Sequence, residues 1–295
     1  MRYPQYTSMV SAASQNAAIW RMLAVGMTTA VLFVAWIAAV ALGISLSSGN
    51  ELSLSLNRLL RADPTLPAGA AIYLLIVGSV GLATILAVRI WHKLSAWALT
   101  GPPVKTVRHF VFAALIALAV FGVVSVLPNG RDQEIVRNMD FDIWLLWLPV
   151  AVVALFAQTG AEEVLFRGYL QTHLFARFRS RFVWLFVPAL LFALAHFAPN
   201  LPSDAALAYF SYALVFGILA GDLTAKTGSI GAAWGFHFAN NSIAVLFLSV
   251  EGSITGLGLF RTSVGLDDLG FQSVWFLGDL GVLLAIWWLI RRALD

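Results

Sequence analysis

Cysteine is absent from the 295 residues. A thiol nucleophile, a thiolate metal site and a disulfide framework are therefore excluded. Charge is the second scarcity: Asp, Glu, Lys and Arg make up 11% of the chain, against about 25% in soluble domains. So few charges cannot cover a water-facing surface. With 60% hydrophobic residues and a mean hydropathy of +0.84, the chain reads as a polytopic helical membrane protein. Dense basic runs are scarce as well. The one present, Arg177, Arg179 and Arg181, lies in a short loop between apolar stretches, where such residues anchor topology. No nucleic-acid partner is implied.

Long apolar runs are what the chain has instead. Spans of about 20 residues are expected at Ile19–Leu46, Ala68–Trp91, Val107–Leu127, Trp144–His173, Phe182–Phe197, Ala205–Leu223, Ser229–Val250 and Ser273–Ile290. The first is too long and too far into the chain for a cleaved signal peptide and is expected to be a retained helix. With eight spans and an inside N-terminus, 13 of the 18 basic residues fall on the cytoplasmic side and 5, namely Arg58, Arg61, Arg131, Arg137 and Arg261, on the other. The cytoplasmic set includes Arg2. This asymmetry places both termini in the cytoplasm.

Ionisable residues inside such spans are costly, about 2.5–3.5 kcal/mol each at mid-bilayer on the mildest scale, and mark functional sites by default. Glu162 and Glu163 lie in the fourth span, with Arg167 four residues after the second. On a helix Glu163 and Arg167 share a face and pair, whereas Glu162 is rotated about 100° away. Glu162 is thus the candidate working carboxylate and Glu163–Arg167 the structural pair. A polar knot that only orients the helix is the bland alternative. His196 follows the apolar run Phe192–Ala195; alone it reads as an interhelical hydrogen bond. Glu162 and His196 lie at equal offsets from Arg179, so a helical hairpin would set both at one depth, about 25 Å from the connection. His237 and Asn241 share a face one turn apart and suit two donors to one oxyanion, or else interhelical glue; Asn240 is the neighbour that would take over if the helix were rotated. Gly217-x-x-x-Gly221 and Gly231-x-x-x-Gly235 are packing devices. Asp222 and His173 are expected at the interface, His92 and His109 carry no signal, and Asp279 in the last span has no partner legible from sequence.

Glu162-Glu163…Arg167, Phe192…His196 and His237…Asn241 together resemble the E-E-x-x-x-R, F-x-x-x-H and H-x-x-x-N/D motifs of the CPBP (Abi) family, the type II CAAX prenyl endopeptidases and bacteriocin-processing relatives. The resemblance covers about residues 150–250. It implies an all-α membrane fold of about eight helices, one integral membrane domain over residues 1–295, and a conical catalytic core over 144–250 built from spans four to seven. It further implies an intramembrane glutamic endopeptidase in which Glu162 and His196 activate water while His237 and Asn241 stabilise the oxyanion. No cofactor is expected. Two histidines and a carboxylate are also a catalytic zinc set, a reading ranked lower because no H-E-x-x-H motif is present.

The expected partners are a peptide or membrane-protein substrate, prenylated or not, and the lipid bilayer of a bacterial inner (plasma) membrane. Oligomeric state has no signature in the sequence. Two rival classes use the same residue types: a non-catalytic peptide-binding or immunity protein, and a transporter or proton relay. The complete water-activating set favours the enzyme over the first. The absence of a convincing internal repeat weighs against the second.

Overall fold

A computed structural model describes residues 3–126, 134–268, 270 and 274–294. Arg2 and Arg131 of the charge balance, the span end Leu127 and the span start Ser273 lie outside the described residues. In chain order the helices are α1 (Pro4–Ser14), α2 (Ile19–Ser48), α3 (Leu52–Leu60), α4 (Pro67–His92), α5 (Ala96–Thr100), α6 (Pro103–Val126), α7 (Phe141–Glu163), α8 (Thr172–Arg177), α9 (Val187–Ala195), α10 (Ser203–Thr227), α11 (Gly231–Ser242) and α12 (Val274–Ala293). The wider π-helical turn joins α7 to α8 over Val164–Gln171, precedes α9 over Phe182–Phe186 and extends α11 over Ile243–Phe247.

The chain is an all-α polytopic membrane protein. Among the described residues, five helices are long and apolar enough to cross a bilayer: Ile19–Ser48, Pro67–His92, Pro103–Ser125, the continuous Phe141–Arg177, and Ser203–Thr227. Three of the eight expected spans are not among these five: the eighth, at α12, and the fifth and seventh, which need correction. The fifth stops at Ala195, so Phe182–Ala195 is a short apolar helix. Pro199 and Pro202 follow within two turns and cannot continue it. The seventh leaves its helical path at Phe247 and becomes strand β2, Leu248–Glu251, where alternating Ser and β-branched Val suit an extended chain. β2 joins β1 (Ile135–Arg137) and β3 (Phe260–Gly265) in a sheet of order β1-β3-β2, antiparallel between β1 and β3 and parallel between β2 and β3.

Local sequence sets the ends that matter for the core. Gly228, at φ 66°, closes α10 in the left-handed conformation that glycine adopts without a Cβ penalty. Lys226 lies in its last turn and Asp204 in its first, both favourable to the helix dipole. Helices α4 and α7 approach at small residues: a Cβ on Gly81 would lie 2.8 Å from Ala161 Cα. Overpacking costs about 1–3 kcal/mol. Gly81→Leu is therefore expected to lower thermal stability in detergent and to push Ala161, beside Glu162, out of register; an unchanged melting temperature would contradict this contact. Gly217 meets Ala189 of α9 in the same way, with a Cβ there 2.9 Å from the alanine methyl.

The start of α1 and the end of α12 meet at one end of the molecule. Tyr3 donates to Asp222 Oδ1 at 2.9 Å, and Arg291 Nε lies 3.4 Å from Asp222 Oδ2. Burial and then the Asp222 carboxylate hold the Tyr3 phenol above its ordinary pKa. The same end carries Arg177, Arg179, Arg181 and Lys226; Arg181 also donates to the Tyr3 hydroxyl.

Candidate active site

Helices α7, α9 and α11 bring three of the sequence candidates around one point. Glu162 Oε2 lies 3.6 Å from His237 Nε2 and 3.9 Å from His196 Nε2. Glu162 is 13% exposed, His196 24% and His237 3%, so the cluster is shielded yet not sealed. His196 stands at the C-cap of α9, where its Nδ1 meets the Phe192 carbonyl at 2.8 Å. A carbonyl only accepts, so Nδ1 carries a proton and Nε2 is the ring atom turned toward Glu162. His237 is held likewise: its Nδ1 lies 2.8 Å from Glu163 Oε1, which again leaves Nε2 facing Glu162. Two imidazole Nε2 atoms and Glu162 Oε2, a buried oxygen without a protein hydrogen-bond partner, thus converge. Polar atoms at these separations suit a bridging water molecule, which can both donate and accept.

Glu163 and Arg167 form a buried ion pair at 2.9 Å, with exposures of 0% and 1%. Breaking such a pair is costly because the surviving charge is stranded. The guanidinium also lies over the Phe192 ring, 4.5 Å from its centroid. Phe192 therefore has two contacts unrelated to its apolar character alone, a face under Arg167 and a carbonyl orienting His196. Helix α9 packs antiparallel to α10, with Phe192 against Phe216 and His196 near Tyr209. About 22 Å of helix separates His196 from the Arg181 end, and about 9 Å separates the level of Tyr209 from the start of α10. The cluster is therefore nearer the end opposite the basic residues, and the non-helical segment 196–202 leads to it. Irregular backbone at such depth belongs where it is buried or lines a cavity.

Asn241 is linked to Glu162 through Gln158. Its Nδ2 donates to Gln158 Oε1 at 3.1 Å, and Gln158 Nε2 donates to Glu162 Oε1 at 2.7 Å. One Asn241 N–H is so engaged, and the amide has a second. Asn240 bonds Tyr212, whose hydroxyl donates to its Oδ1 at 2.9 Å. Gln158 was missed from sequence; its signal is the (i, i+4) spacing to Glu162, the same spacing that identified Glu163–Arg167. His173, expected at the interface, is fully buried, with Nδ1 2.8 Å from the Tyr169 carbonyl. The π-helical register after Glu163 turns it inward. Asp222 is nearly buried at its helix end, and Asp279 lies exposed in α12 within electrostatic range of Tyr212. Among the described residues, no group of three His, Cys, Asp or Glu side chains is set to hold a metal ion.

Comparison with known proteins agrees with the motifs. Residues 141–243 match the family described as type II CAAX prenyl endopeptidase Rce1-like, a segment that runs from the start of α7 through the last site residue. The chain is 35% identical over 148 residues to "Uncharacterized protein YyaK" of Bacillus subtilis (strain 168), covering 49% of this chain and 47% of that protein. It thus spans about half the length of this curated relative. No solved structure matches.

Proposed function

We propose that the chain is an intramembrane endopeptidase that hydrolyses peptide bonds with water activated by Glu162. The observation that carries this reading is the convergence of Glu162 Oε2 with two imidazole Nε2 atoms at 3.6 and 3.9 Å, within a segment matching an endopeptidase family. Water between them donates a hydrogen bond to Glu162 Oε2. As its oxygen bonds to the peptide carbonyl carbon, one proton moves to Glu162 Oε2 and the carbonyl π electrons move to oxygen. The tetrahedral adduct then collapses, the C–N bond breaks, and Glu162 returns its proton to the leaving amine. His196 orients the water. When His237 is the imidazolium, with Glu163 behind it, its Nε2–H donates to the oxyanion, and Asn241 supplies its second N–H.

Gln158 and Asn241 position Glu162 through the amide chain. Small misplacements of a reacting group cost up to about 10²-fold. Gln158→Leu is expected to lower kcat by about 10- to 100-fold with little change in KM or fold; equal loss of folded protein would instead make Gln158 structural.

Metal-free chemistry is proposed because the sequence carries no H-E-x-x-H zinc motif. Stoichiometric zinc in active protein would overturn it. The membrane orientation is proposed from charge: the basic end, with the start of α1 and the end of α12, faces the cytoplasm, and substrate reaches the cluster from the opposite side along segment 196–202. The substrate class is a peptide or membrane-protein segment near that surface. The test is to compare cleaved termini in membranes carrying the wild-type chain and Glu162→Ala. Uncut precursors accumulating only with the variant support proteolysis. Identical profiles, with a peptide retained by both proteins, would favour the non-catalytic binding class.

A further inference from the structure

Two adjacent cavities lie at the basic end, remote from the carboxylate–imidazole cluster. One, of about 300 Å³, is lined by Lys226, Trp287, Trp288, Arg291 and Arg292. The other, of about 380 Å³, is lined by Tyr3, Arg181, Asp222, Trp287 and Arg291. Trp287 and Arg291 form a wall common to both. Among the described residues that line this space, four are cationic and one, Asp222, is a carboxylate, which is engaged by Tyr3, Trp287 and Arg291.

The guanidiniums lie over aromatic rings. The Cζ atoms of Arg291 and Arg292 lie 5.7 Å from the Trp287 and Trp288 ring centroids, and that of Arg181 lies 5.2 Å from the Tyr3 ring. Guanidinium N–H groups bind planar or tetrahedral oxyanions. Arg291 Nη1 is buried without a protein hydrogen-bond partner. The same helix continues into the apolar region with Leu284, Trp288 and Leu289 exposed, a surface suited to acyl chains. Trp beside Arg at a helix end is the composition of the headgroup level, and basic pockets between helices at that level take anionic headgroups.

We propose that this paired cavity binds the phosphodiester headgroup of an anionic membrane lipid, with Arg291 and Arg292 as the principal phosphate contacts and acyl chains along α12. The proposal is independent of the reading of Glu162. Free phosphate offers the same oxyanion without the chains, so the experiment needs both sources.

The test is native mass spectrometry of the full chain in neutral detergent, titrated with phosphatidylglycerol, phosphatidylcholine or inorganic phosphate. Wild type is expected to retain phosphatidylglycerol in preference to phosphatidylcholine, and Arg291→Gln/Arg292→Gln is expected to weaken that retention by about 30-fold, from the contribution of each basic residue near a charged lipid surface. Should the double variant lose its fold along with the Arg291–Asp222 contact, Arg292→Gln alone is expected to weaken retention by about 5-fold. Equal retention of the two lipids, unchanged retention by Arg292→Gln, or inorganic phosphate displacing the lipid at equal concentration would overturn the proposal.

Discussion

Glu162→Gln is expected to reduce peptide hydrolysis by about 10²–10⁴-fold, the span associated with loss of a positioned general base, while the protein stays folded. The amide keeps the size of the carboxylate and its contact with Gln158, seen at 2.7 Å on Oε1. It cannot take a proton from water. A detergent-solubilised variant should therefore melt close to wild type and bind substrate with similar affinity. Because Glu162 is the group between the two Nε2 atoms, His196→Ala should also lower kcat strongly. Turnover retained in Glu162→Gln would assign the water-activating role elsewhere.

The second large effect concerns stability. Arg167→Met strands Glu163, at 0% exposure, with only His237 beside it. Removing one partner of a buried pair typically costs about 3–5 kcal/mol, so this variant should unfold at a much lower temperature. Replacing both, Glu163→Gln/Arg167→Met, removes the stranded charge and should recover most of the loss, since apolar or neutral substitutes for buried pairs are often neutral or stabilising. Activity should stay low in the double variant, because His237 Nδ1 then faces a neutral amide in place of the carboxylate at 2.8 Å. A double variant as unstable as the single would show that the pair is not what holds this region. Recovery of full activity would remove Glu163 from the support of His237.

The cluster was legible in sequence because helical periodicity does most of the work at these positions. Glu163 and Arg167 are four apart on one helix, and the offsets of Glu162 and His196 about Arg179 survive because both arms stay helical through Glu162 and to Ala195. The bilayer-scale lengths were less legible. Hydropathy does not register that Pro199 and Pro202 end the fifth stretch at His196, or that the apolar run after Phe247 pairs as a strand with Phe260–Gly265. Partners distant in sequence were not legible either. The Gln158–Asn241 amide contact spans 83 positions, and nothing in single-sequence patterning distinguishes Asn241 as a donor to Gln158 from Asn241 as a donor to an oxyanion. His173 looked interfacial by position, yet the wider turn over Val164–Gln171 carries it into the core.

The most direct measurement is an experimental structure of the active protein, resolved well enough to show ordered solvent and recorded on both sides of the zinc absorption edge. The expected result is a water molecule within hydrogen-bonding distance of Glu162 Oε2 and of at least one imidazole Nε2, with no anomalous signal there. A glutamate at 162 facing lipid, apolar side chains parting it from both histidines, or a zinc peak in that space would contradict a carboxylate-activated, metal-free hydrolytic centre.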